Sequence, residues 1–204
     1  MKIKPIFNRS KQRRPLFKIP KDSAPYYVIT GGPGVGKTSL LGALEKKGCR
    51  VVPEVSQKLV QEQQAIDGDG LPWKNKTRYR DLLFERSLER FENAMDEQQG
   101  NTPVFFDRGF LDALCYARIS GIPIGNTMKI CAETCRYNDH VFILPPWKEI
   151  MRTDGQQRLD WNEAVFTYNK IIQTYRGYQY DLVEVPKVPV GERADFILDH
   201  LKGR

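Results

Sequence analysis

Five short apolar runs punctuate the chain, and longer stretches with a helical period separate them. The runs at 26–30, 49–54, 103–107, 140–144 and 180–185 are too short for stable helices and read as strands. The third, Pro103-Val104-Phe105-Phe106-Asp107, is continuously apolar until its last residue, as a strand buried on both faces requires. The intervening stretches predict helices at 39–47, ended by Gly48, at 55–66, and from 77 to 99, stopped by Gly100. In the longest of these, Phe84, Leu88, Phe91 and Met95 fall on one face and read as core. A breaker cluster at 67–72, followed by Trp73, precedes that helix. Helices at 110–119 and 127–137 lead to the fourth strand, which Pro145-Pro146 terminates. Asp160 and Glu163 form a capping box for a helix with Trp161, Val165, Tyr168, Ile172 and Tyr175 on one face. The closing helix carries Ala194, Ile197, Leu198 and Leu201 on one side.

Five strands alternating with helices predict an α/β domain, a three-layer α/β/α sandwich around a parallel sheet. In such a sheet functional groups gather outside the carboxyl ends of the strands. The first βα turn lies at such an end and reads Gly31-Gly32-Pro33-Gly34-Val35-Gly36-Lys37-Thr38, a complete G-x-x-x-x-G-K-[ST] pattern between strand and helix. Glycines let the backbone wrap closely around phosphate oxygens, and the helix N-terminus adds positive potential. The expected phosphate-binding set is therefore Gly31, Gly32, Pro33, Gly34, Val35, Gly36, Lys37, Thr38 and Ser39. Lys37 is expected to reach the β- and γ-phosphates of a nucleoside triphosphate, and the Thr38 hydroxyl to ligate Mg²⁺.

Three further places offer chemistry at the same edge. Asp107 ends the third strand and reads either as a metal-organising carboxylate or as the N-cap of the next helix. Arg108 beside it suits an anionic substrate or phosphate. Glu54, at the end of the second strand, reads as an acceptor of a substrate hydroxyl proton or as a helix cap. Arg152 and Arg158 lie on a Gly-containing segment suited to closing over phosphates, or to a solvated surface. His140 and His200 are isolated in sequence and suggest no catalysis.

Composition changes this picture at one end of the chain. The 204 residues carry a formal net charge of +7, and eight basic residues fall within 1–21 without an acid among them. The basic balance thus belongs to a proline-interrupted N-terminal tail, 1–23, and not to the domain at 24–204. Nucleic acid is not expected as a partner of the core, whereas the tail suits a polyanion, an acidic membrane surface or plain solvent. No apolar run has membrane-spanning length and no secretory signal heads the sequence, so a cytoplasmic location is expected. Cys49, Cys115, Cys131 and Cys135 show no disulfide or zinc spacing and read as reduced thiols.

The segments 29–38, Val52-Pro53-Glu54-Val55, Phe105-Phe106-Asp107-Arg108-Gly109, 145–150 and Val185-Pro186 resemble the NadR-type P-loop AAA domain family over about 26–202. That family groups a nicotinamide riboside kinase domain with many ATP-binding proteins of unassigned substrate. More distantly the layout resembles nucleoside and nucleotide monophosphate kinases. There, an acid ending the second strand, an acid-Arg pair after the third and lid arginines serve phosphate transfer. Glu54, Asp107-Arg108 and Arg152/Arg158 match those positions in order. The resemblance implies strand order 2-3-1-4-5, Asp107 next to the phosphate loop, and the loop at 186–191 near the nucleotide base. Two departures stand out: arginine, not a second acid, follows Asp107, and no room exists for the helical lid domain of ring-forming motors.

Two classes of function therefore meet the sequence. One is a Mg²⁺- and ATP-dependent enzyme (GTP being the alternative donor) that phosphorylates a small nucleoside- or nucleotide-like acceptor. The other is a nucleotide-binding switch whose tail contacts a protein or membrane. Glu54 with Asp107-Arg108 favours the kinase, since a switch needs no acceptor site.

Overall fold

A computed structural model describes residues 25–97, 100, 102–150 and 160–203. The basic tail and the arginine-bearing segment with Arg152 and Arg158 lie outside the described residues. Five parallel strands, β1 (Tyr26–Gly31), β2 (Arg50–Val52), β3 (Val104–Asp107), β4 (His140–Leu144) and β5 (Asp181–Glu184), form one sheet in the order β2-β3-β1-β4-β5. Among the described residues six helices connect them and a seventh follows β5: α1 (Lys37–Lys46), α2 (Ser56–Ala65), α3 (Lys76–Glu97), α4 (Phe110–Ile119), α5 (Asn126–Thr134), α6 (Trp161–Gly177) and α7 (Val190–Lys202).

The three layers follow from the two-residue period of the strands. Val28, Val104, Phe106, Val141 and Ile143 face one way, into a core shared with Phe84, Phe91, Phe110, Leu111, Leu114 and Tyr175 of α3, α4 and α6. Ile29, Phe105, Phe142 and Leu144 face the other way, against Leu40, Leu41 and Leu44 of α1 and Ala194 and Ile197 of α7. Because every strand runs in the same direction, all carboxyl ends open on one edge. The register sets Asp107 beside Ile29 and Leu144 beside Gly31, so three strand ends converge around the β1–α1 turn.

Local departures from the sequence pattern have physical causes. β2 stops at Val52 and not at Glu54, because Pro53 has no N–H to extend the ladder of an edge strand. α5 ends at Thr134, three residues early, where Cys135 turns to extended backbone with ψ 118°. Asp160 does cap α6, but its carboxylate accepts from Asn162 N at 2.9 Å, in place of the reciprocal box with Glu163. The buried stripe of α6 is Ala164, Ile171, Thr174 and Tyr175, a rotation away from the Trp161–Val165 side.

Candidate active site

β1 delivers the chain into the phosphate loop through Gly31, whose φ is 148°. A Cβ there would stand 2.8 Å from the Leu144 carbonyl oxygen, so no side chain fits. Gly34 and Gly36 have φ of 70° and 87°, left-handed angles that glycine adopts without steric cost. Successive N–H groups in such a turn make an anion-binding concavity, and α1 begins immediately beyond it. Lys37 is buried, and its Nζ donates to the carbonyl oxygens of Gly31 and Gly32 at 3.2 and 2.7 Å. Burial pushes its pKa down to about 8, helped by the like charge of Arg108 and opposed by Asp107, Glu54 and Asp112. Thr38 and Ser39 are exposed at the start of α1.

Asp107 ends β3 one strand away. Gly109, and not Asp107, is the N-cap of α4, so the capping role does not apply to this carboxylate. Among the described residues its buried Oδ1 has no hydrogen-bond partner. Burial pushes its pKa up to about 6; Glu54 and Asp112 act in the same direction, Lys37 and Arg108 against it.

Arg108 adopts φ 65°, an uncommon conformation for a residue with a side chain. Its N–H donates to Ile29 O at 3.0 Å, which ties the turn after β3 to the central strand. The side chain bridges two carboxylates, with Nε 3.2 Å from Glu54 Oε1 and Nη1 3.2 Å from Asp112 Oδ1. Glu54 also accepts from Ser56 Oγ. The N-cap of α2 is Val55, which makes no side-chain capping bond, so Glu54 is held toward Arg108 instead of capping a helix.

Asp112 carries more of this array than any residue singled out from sequence. It is 8% exposed and accepts from Thr30 Oγ1 at 2.8 Å, Gly109 N at 2.9 Å and Tyr175 OH at 2.7 Å, besides Arg108. Such satisfaction offsets the cost of burying a charge. The only trace in the sequence is an acid three residues after Gly109, in the first turn of α4.

Beside these groups opens a cavity of about 240 Å³ lined by Glu54, Arg108, Tyr79, Arg90, Tyr116 and Ile171, among others. Tyr79 and Tyr116 meet edge to face, with ring centroids 5.1 Å apart. The Tyr116 hydroxyl is buried and has no hydrogen-bond partner among the described residues. On the other flank of the phosphate loop, Arg193 of α7 lies against Gly36 and over the Trp147 ring, with its guanidinium carbon 5.6 Å from the ring centroid. The two histidines, isolated in sequence, meet in space: His200 Nε2 lies 3.4 Å from His140 Nδ1, and His140 begins β4, at the opposite end from the loop.

A phosphate loop on the central strand, with this sheet order, defines a P-loop NTPase domain of kinase-like fold. The chain belongs to an AAA domain family, which matches residues 26–193. No curated protein sequence matches it. Among solved structures it is similar to deoxyadenosine kinase from M. mycoides with products dCMP and dCDP, at TM-score 0.61 and 16% identity over 88% of this chain and all of that one. It is also similar to NadR in complex with NR, at TM-score 0.53 and 15% identity over 89% of this chain and 51% of NadR. A third similarity is to YorR from Bacillus subtilis with phosphorylated GDP, at TM-score 0.50 and 16% identity, covering 87% and 95% of the two chains.

Proposed function

We propose that the protein is a Mg²⁺-dependent phosphotransferase that moves the γ-phosphoryl group of ATP to a small nucleoside- or nucleotide-like acceptor. One observation carries this reading: the phosphate loop and the Glu54–Arg108 cavity open on the same edge, with the strand bearing Asp107 between them. A site that only bound and released nucleotide would need no such cavity. The solved relatives, a deoxyadenosine kinase and NadR with NR, agree with an acceptor of nucleoside type.

In this reading the residues from Gly31 to Ser39 cradle the triphosphate, and Lys37 stabilises charge as the phosphoryl group leaves. Thr38 and Asp107 would hold Mg²⁺: an exposed hydroxyl and a carboxylate oxygen without a protein partner are the hard oxygen donors that ion takes. When bound, the metal neutralises phosphate charge. Glu54 receives the proton of the acceptor hydroxyl through an oxygen not used by Arg108 or Ser56. Arg108 orients Glu54 and balances the three nearby carboxylates. Arg152 and Arg158 close over the phosphates in the same scheme.

The test is ATP consumption measured against a panel of nucleosides, mononucleotides and nicotinamide riboside. The expected result is turnover stimulated at least tenfold by one class of acceptor. Equal slow hydrolysis with and without every acceptor would overturn the kinase reading and favour the switch.

A further inference from the structure

We infer that Arg193 is a phosphate-binding residue of the nucleotide site, supplied by α7 on the side of the loop opposite Asp107; this rests on the nucleotide-binding reading above. Arg193 is 6% exposed, and its buried Nε has no hydrogen-bond partner among the described residues. Among the described residues it has no ion pair. The other buried arginines differ: Arg80 meets Asp81 and the Pro123 carbonyl, and Arg136 meets Asp139 with the Tyr178 and Gln179 carbonyls. A guanidinium removed from water without a counter-charge is costly, and it persists where another group repays that cost.

What surrounds Arg193 indicates which group. A Cβ built on Gly36 would lie 3.0 Å from Nη1 and 3.5 Å from Nη2, so the guanidinium rests on the last glycine of the phosphate loop. Gly36 is also the N-cap of α1, the positive end of a helix macrodipole. Arg193 itself stands in the first turn of α7, a second positive helix end. One cation and two helix N-termini thus converge where, among the described residues, no carboxylate forms an ion pair with the guanidinium, Glu192 of the same turn being exposed; the arrangement is repulsive alone and attractive around an anion. The Trp147 face at 5.6 Å supports the guanidinium but supplies no counter-charge. Gly36 belongs to the turn that cradles phosphate, so the anion is the phosphate chain of the bound nucleotide. The cation therefore closes the site from the β4–β5 side, as Lys37 does from within.

The experiment measures the affinity of ADP and of inorganic tripolyphosphate for the wild type, Arg193→Met and Arg193→Lys, together with their melting temperatures without ligand. Arg193→Met keeps most of the volume and leaves no partner unpaired, so unliganded stability is expected to hold or rise. Its affinity for both ligands is expected to fall about 10–100-fold, the range for a hydrogen bond to a charged group. Arg193→Lys, which keeps the charge, is expected to lose less. Unchanged ADP affinity in folded Arg193→Met would overturn the inference. So would a loss confined to ADP, which would place the contact on the nucleoside, or an equal loss in both variants with lowered melting, which would mark a packing role. A wild type that binds neither ligand would overturn the nucleotide reading and this inference together.

Discussion

At the residue scale, Asp107 and Lys37 are displaced in opposite directions by one cause, burial at the carboxyl edge. Asp107 rises to about 6 and Lys37 falls to about 8, so each charged form is held in the fold at a cost. For Asp107 the sign is definite. A folded pKa above the ordinary 3.8 means the folded state binds the proton more tightly, so stability is lost as pH rises from about 3.8 through about 6. The cost at neutral pH is on the order of 2 kcal/mol after solvent screening. Asp107→Asn removes it, and unliganded Asp107→Asn is expected to melt about 4–8 °C above wild type at pH 7.5, the gap closing as pH approaches 4. Its affinity for Mg²⁺-ATP is expected to fall, since the amide cannot replace the charge. Thermal unfolding across that pH range, with and without Mg²⁺-ATP, checks both. Equal melting of the two proteins at pH 7.5 and at pH 4 would show that Asp107 is not a strained carboxylate. Asp107, Lys37 and Glu54 were legible because each stands at the end of an apolar run or inside a complete motif. Asp112 was not, because its partners Thr30 and Tyr175 stand 82 and 63 positions away in sequence.

At the scale of elements, Tyr175 joins α6 to α4 through its bond to Asp112, and Asp112 in turn fixes Arg108 and thereby Glu54. α6 is the helix that follows the segment bearing Arg152 and Arg158, so one buried hydroxyl links that helix to the Glu54–Arg108 cavity. Tyr175→Phe keeps the packing and removes only the donor. It is expected to cost about 1.5–3 kcal/mol, a fall of about 3–12 °C in the unfolding midpoint. Calorimetry checks this, and an unchanged midpoint would mean the Asp112 array stands without α6. The existence and type of the elements could be read from period and punctuation. The face of α6 could be read only in part: Tyr168, Ile172 and Tyr175 of the expected stripe pack on the core, but Ala164 and Ile171 are buried in place of Trp161 and Val165, and only the shape of the sheet decides between them. The end of β2 was misread because Glu54 continues the run in sequence, although Pro53 has already broken the ladder.

At the scale of the molecule, the strand order separates two halves of one site. The phosphate loop lies on β1, with α7 and Trp147 on the β4–β5 side, while Glu54, Arg108 and the cavity lie on the β3–β2 side. Periodicity could not show this order, since it names elements and not their neighbours; it was legible only through the resemblance of the motif succession to a known family. The same order is what makes the functional proposal testable, because it assigns nucleotide binding and acceptor chemistry to different strands. The most direct measurement is turnover of Glu54→Gln with the best acceptor at saturating Mg²⁺-ATP, beside its affinity for ATP. Turnover about 10²–10⁴-fold below wild type, with ATP affinity within about twofold, is the result expected of a lost general base. Wild-type turnover in Glu54→Gln would contradict the assignment of this edge to phosphoryl transfer.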